Sequence, residues 1–369
     1  MSTPFFVKGQ GVFLFKNHEK HIKIRFTNKS QNNVLAVVIE DRVHVYCDGK
    51  KYIDPSNNVG VVDLTGAYYW ISINAQTQQI YVGVGEPRLE TVIYQCVIQG
   101  EKKFLESLVS SHYDESTNMW KVIKDPITRT VPLLVKDTNS LTMSDIATAI
   151  YMPSACLTDV ERKLYDCISG NNFVLDTMDF PDFSKAIEHS IATPGLWCHE
   201  KLKDKSREFN PNVPNIKETY LRITLGENSG ESPGIPYVME IWPPGHYSPV
   251  HSHAGASAVI RVLHGEIHVK LYPFLCAERD GVEPFGRANF SVGDITWISP
   301  TLNQTHQLVN HKEATCVTIQ CYMYENANVR HYDYFDYLDD TGHKKQYEPD
   351  SDMDFVQFKD RMKYEWNNR

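Results

Sequence analysis

Between Tyr220 and Tyr324 the chain is written as short runs of period-two alternation, interrupted by glycine and proline turns. This pattern constrains the fold more than any other feature. Alternate side chains of a strand point to opposite faces, so such runs bury one face and expose the other. Many short strands of this kind close into an antiparallel barrel or jelly roll. Residues 4–95 carry a related signature, with apolar or alternating runs at 11–15, 22–26, 34–39, 43–46, 68–73 and 80–84. Turn signals such as Asn28-Lys29-Ser30 and Asp48-Gly49-Lys50 separate them, and regular spacing of this kind predicts a sandwich.

The stretch from 144 to 195 reads as helical. Thr158-x-x-Glu161 is a capping box, and Val160, Leu164 and Cys167 then fall at helical spacing. Residues 182–191 form a second amphipathic pattern, stopped by Pro194-Gly195. A short helix is expected over 352–366. The fold class expected is therefore mainly β: a β-sandwich-like module over 1–100, a connecting segment over 101–150, and a barrel domain with a helical lead-in over 151–369. A length of 369 residues fits two domains.

Composition narrows the function. The net charge is -9 with 37 basic residues spread along the chain, so no nucleic-acid partner and no anionic membrane surface is expected. No apolar run approaches a membrane span. Met1–Lys8 lacks the basic and apolar segments of a secretion signal. The 8 cysteines contain no C-x-x-C pair and are expected to be reduced structural thiols, which points to a cytoplasmic protein.

The 15 histidines are more informative. His251 and His253, two apart on one strand, would project to the same face, as two imidazoles of one metal site must. Gly245 and Pro249 place a turn before them. Gly293 to Pro300 reads as a turn and a strand, followed by His306 and, four residues later, Asn310. His306 would supply a third imidazole. His246, His264 and His268 read as loop or strand-polar residues. A barrel that had lost its metal would keep the three candidate ligands as polar side chains.

These residues resemble the two cupin motifs. Gly245, His251, His253 and Gly265 match the first in spacing, with Ala258 where the motif carries a carboxylate. Gly293, Pro300, His306 and Asn310 match the second, with one extra residue on each side of the proline. The resemblance implies a double-stranded β-helix, or jelly-roll, barrel. Three neutral histidines would leave a divalent metal its full charge, and they would leave positions open in the way the two-His-one-carboxylate triad does for oxygen activation.

Three-histidine ligation resembles cysteine dioxygenase, over roughly residues 155–340. Tyr220-Leu221-Arg222 is similar to that family's Tyr-x-Arg segment, which implies Arg222 as the anchor for a substrate carboxylate and Tyr220 as a pocket residue. A guanidinium fork suits a carboxylate. Cys316–Tyr322 occupies the place of the family's Ser-x-His-x-Tyr strand, which implies Tyr322 as the active-site tyrosine. Two departures stand out. Ala258 replaces the cysteine that crosslinks to this tyrosine in animal enzymes. Thr318 and Gln320 replace the Ser and His, and an amide cannot carry a proton as imidazole does.

The resemblance implies Fe(II) on His251, His253 and His306, with a small thiol and O2 as partners. The implied reaction is L-cysteine to cysteine sulfinic acid, a step of cysteine catabolism and taurine biosynthesis. Gln320 keeps open another thiol acid, such as 3-mercaptopropionate, or a non-catalytic cupin that binds a ligand. In the N-terminal module, Tyr68–Ile73 and Ile80–Glu86 resemble the farnesoic acid O-methyltransferase-like domain. No glycine-rich loop joins a strand to a helix there. The module therefore reads as a binding unit for an unknown ligand or partner.

Overall fold

The computed structural model describes residues 1–17, 21–52, 67–228, 235–276, 282–324, 334–339 and 341–369. The chain divides into two units, residues 1–131 with 278–285, and residues 132–277 with 286–369.

The first unit holds two antiparallel sheets. One runs in the spatial order Ser2–Pro4, Ser110–Tyr113, Ile22–Thr27, Val34–Ile39, Val43–Cys47, Lys50–Tyr52; the other runs Thr117–Ile123, Gln10–Asn17, Tyr69–Asn74, Gln79–Val84, Val92–Val97. The alternation expected from sequence is direct in Ile22–Thr27, where Ile22, Ile24 and Phe26 are buried and Lys23 and Arg25 exposed. Phe13 from one sheet meets Phe26 from the other at 4.9 Å between ring centroids, with Phe5 at 4.6 Å from Phe13. This aromatic contact makes the pair of sheets a sandwich. Trp70 lies directly opposite Gly83. A Cβ at Gly83 would sit 2.1 Å from the Trp70 ring, so the indole needs glycine beneath it. Trp70 clusters with Val12 and Leu14 on the opposite face of that sheet.

Residues 101–150, read from sequence as a connecting segment, are divided between the units. The helix Lys102–Ser107 and the strands Ser110–Tyr113 and Thr117–Ile123 belong to the first unit. Ser110 pairs with Thr27, a partner far away in sequence, which is why local pattern does not reveal the strand. Leu134–Lys136 and Tyr151–Pro153 instead join the second unit's larger sheet.

The second unit is a double-stranded β-helix. Its larger sheet runs Tyr151–Pro153, Leu134–Lys136, Ile295–Ile298, Ser257–His264, Cys316–Met323, Ile235–Trp242, Leu221–Asn228, Met353–Asp354. Its smaller sheet runs Gly286–Ser291, Glu266–Tyr272, Thr305–Val309, His251–Ser252, Phe335–Leu338, Lys344–Tyr347. The chain crosses repeatedly from one sheet to the other, which is the jelly-roll path.

The helices behave as the sequence suggests. Asp159–Ile168 starts at a capping box in which Thr158 Oγ1 accepts from the Glu161 N–H and the Glu161 carboxylate accepts from the Thr158 N–H. Phe183–Ala192 stops just before Pro194, and Phe355–Asn367 closes the chain. Leu221, Ile223, Met239, Ile241 and Val317 pack against Phe183, Ile187, Leu202, Phe358 and Met362. One face of the larger sheet is thereby sealed by helices. By period two, the intervening residues Arg222, Glu240 and Thr318 point to the barrel interior. No helix among the described residues is long and apolar enough to cross a membrane. None of the eight cysteines is joined in a disulfide among the described residues.

Candidate metal centre

The three candidate ligands come together in the second unit. His251 pairs directly with His306 across neighbouring strands, and His253 follows just past the end of the short His251–Ser252 strand. One ligating atom from each lies within 4.8 Å of the others. The Nε2 atoms of His253 and His306 are 3.2 Å apart. Two imidazoles on one metal at about 2.0–2.1 Å would place their nitrogens about 2.9–3.4 Å apart, so this spacing fits a shared ion.

Backbone carbonyls orient two of the rings. His251 Nδ1 lies 3.1 Å from Pro249 O and His306 Nδ1 lies 3.0 Å from Asn303 O. Each Nδ1–H donates there, which leaves Nε2 as the free lone pair facing the site. His253 Nδ1 is buried without a hydrogen-bond partner among the described residues. Burial lowers all three: His251 to about 3, His306 to about 4, and His253 well below its ordinary value, with the neighbouring histidines adding to the effect on His251 and His253. The donors are therefore neutral at physiological pH, as a metal ligand must be. This set fits a divalent metal of the imidazole-binding group, and the donor set alone does not distinguish iron from its neighbours.

The motif residues that are not ligands build the frame. Gly265 turns the chain at φ +69°, where a Cβ would lie 2.5 Å from Thr315 O. Asn310 receives the Gly245 N–H at its backbone oxygen, and its side chain donates to Trp242 O and Ala314 O. The loop leading to His251 is thus tied to the strand that carries His306.

A cavity of about 60 Å³ opens onto the histidines, with Tyr220, Glu240, Thr318, Gln320 and Tyr322 among its polar walls. Val262, Ile267, Val269, Leu271, Phe290 and Leu308 form much of the rest. A water occupies about 10–15 Å³ by this measure. The space therefore suits a ligand of a few non-hydrogen atoms.

Tyr322 is buried, stacks on His253 at 5.8 Å and donates its hydroxyl to Gln320 Oε1 at 2.6 Å. Ala258 lies directly opposite it. Tyr220 lines the cavity and stacks on Trp242 at 4.2 Å, and burial raises its hydroxyl well above the ordinary pKa. Arg222 is placed differently from the expectation of a waiting carboxylate anchor. Its Nη1 donates to Glu240 Oε1 at 3.0 Å, the two side chains are 4% and 5% exposed, and Arg222 itself is not one of the wall residues. The physical reason is register: Arg222 and Glu240 are cross-strand partners on the inner face, and a buried cation takes the nearest carboxylate.

Glu240 is the site residue that sequence reasoning missed. An acid inside the apolar run Val238-Met239-Glu240-Ile241-Trp242 was the available signal. Burial raises its carboxyl above the ordinary value, against the opposing pull of Arg222. His246 is buried rather than exposed on its loop, with Nδ1 2.9 Å from Thr219 O. His264 sits near Glu188 and His268 bonds Asn289, both away from the cavity.

No family's sequence model matches this chain. Similar solved structures include the cupin domain of an XRE family transcriptional regulator from Enterobacter cloacae, at 17% identity over 29% of this chain and 98% of that one, TM-score 0.23. Oxalate oxidase in complex with the substrate analogue glycolate is similar at 18% identity over 32% and 56%, TM-score 0.23. A cupin 2 conserved barrel domain protein from Salinispora arenicola is similar at 15% identity over 30% and 79%, TM-score 0.23.

Proposed function

We propose that the second unit is an iron-dependent dioxygenase of small thiols. The observation that carries this reading is the convergence of three neutral imidazole nitrogens on one small, largely apolar cavity beside Tyr322. The carboxylate on the cavity wall, Glu240, is turned to Arg222 and is not part of the ligand cluster. In the proposed reaction a thiol RSH and O2 give the sulfinic acid RSO2H. Sulfur loses four electrons, O2 gains four, and no external reductant is needed.

Iron(II) on His251, His253 and His306 would supply the oxygen chemistry and make the bound thiol acidic. The chain's own residues supply the surroundings. The apolar walls exclude water, which strengthens every polar contact inside. Tyr322 is held by its bond to Gln320, so its hydroxyl has a fixed place beside His253. Gln320 orients that hydroxyl without exchanging a proton, since an amide does not titrate.

L-cysteine is the substrate that the resemblance to cysteine dioxygenase implies, and the departure at Gln320 keeps 3-mercaptopropionate open. Both carry a carboxylate, and Arg222, which would receive it, is already bound to Glu240. That pairing favours, as a second reading, a cupin that binds a small ligand without turning it over. For the first unit we propose a binding role toward a ligand or partner.

Oxygen uptake by the iron-loaded full chain, measured with a panel of small thiols, tests the enzyme reading. Uptake that depends on thiol and yields sulfinic acid by mass spectrometry is the expected result. No uptake with any thiol, with iron bound at the three histidines, would leave the binding role in its place.

A further inference from the structure

The thiol dioxygenase reading leaves Glu240 without a role, although it lies on the wall of the cavity. Glu240 is held by Arg222, which donates to it at 3.0 Å, and the Gln320 side chain also favours its charged form. Gln320 is in turn fixed by the Tyr322 hydroxyl at 2.6 Å. Two buried pairs, Arg222–Glu240 and Gln320–Tyr322, therefore sit on three neighbouring strands, the second beside His253.

This arrangement changes what the cavity can recognise. The charge of the guanidinium is met inside the protein, by a carboxylate only 5% exposed. Apart from the metal, a ligand carboxylate entering the site would face Glu240 and an Arg222 already engaged by it. It would have to displace Glu240 from Arg222 or lie beside it in a water-poor cavity. Like charges brought together at such a site weaken binding strongly. A thiol with no carboxylate meets no such barrier, and a cavity of about 60 Å³ with apolar walls accommodates its short chain.

We propose that this cavity selects small thiols that lack a carboxylate, uncharged or amine-bearing, and that Glu240 is the residue that determines this selectivity. The proposal rests on the thiol reading above. It gives the opposite preference to the one that Arg222 alone would imply.

The test uses the full chain loaded with cobalt(II), whose thiolate absorption band reports binding without turnover. Two matched pairs differ only by a carboxylate: 2-aminoethanethiol against L-cysteine, and ethanethiol against 3-mercaptopropionate. In the wild-type protein the carboxylate-free member of each pair is expected to bind about tenfold tighter or more. Glu240→Gln, which removes the carboxylate's charge and leaves Arg222, should narrow that preference by about tenfold. Arg222→Met with Glu240→Leu removes both charges and should give the acids no gain over Glu240→Gln. Equal or tighter binding of the acids by the wild-type protein would overturn the selectivity while leaving the thiol reading intact. No thiol band with any of the four would overturn both. The wild-type comparison decides the matter even if Glu240→Gln fails to fold.

Discussion

Glu240→Leu removes the carboxylate partner from a guanidinium that is almost fully buried, and its cost can be worked from the structure. The Arg222–Glu240 contact is 3.0 Å. At an effective dielectric of about 20, the gross attraction at that distance is about 5–6 kcal/mol. Taking both charges out of water offsets most of this, so the pair itself adds little net stability. Removing one member leaves the desolvation cost without its compensation, which is about 3–5 kcal/mol. Arg222→Met with Glu240→Leu removes both and is expected to lie within about 1 kcal/mol of wild type. The cycle therefore closes with a coupling of at least about 3 kcal/mol, far above additivity. Urea unfolding followed by tryptophan fluorescence is the assay, with the second unit's transition reported by Trp242, which stacks on Tyr220 beside the pair. At about 2 kcal/mol per molar urea, Glu240→Leu should lower the midpoint by about 1.5–2.5 M. Single variants whose costs simply add in the double variant would refute the buried, coupled pair.

His306→Ala should reduce bound metal at least about tenfold by elemental analysis, since two remaining imidazoles close no site. His246 is lowered to about 4 mainly by burial, so its contribution to stability is complete above pH 6.5 and is lost as pH falls toward 4. His246→Asn should flatten the fall in unfolding free energy between those values by up to about 3 kcal/mol, because each tenfold loss of proton affinity on folding is worth about 1.4 kcal/mol. Gly83→Ala pushes a methyl into the Trp70 ring, and calorimetry should show the first unit losing about 1–3 kcal/mol or more. Thr158→Ala removes one half of the capping box and should cost about 1 kcal/mol in the second unit's unfolding transition.

Much of the second unit is legible in the sequence because its signals are local. Period-two alternation marks the strands, Thr158-x-x-Glu161 marks a helix start, and His251 and His253 announce their shared side from two positions apart. His306 follows from its place after a turn and a strand, and Tyr322 from the resemblance of its strand. What stays hidden depends on distant partners. Ser110–Tyr113 becomes a strand of the first unit only because Ile22–Thr27 offers an edge to pair with.

The sequence by itself determined which residues of a strand share a side, because a strand's two-residue period groups them without reference to any other strand. It could not determine which inward residues meet. That is a matter of register between strands, set by turns and bulges such as the one between Thr224 and Gly226. Only the tertiary structure placed Glu240 opposite Arg222, and the charge presented to a ligand follows from that one pairing.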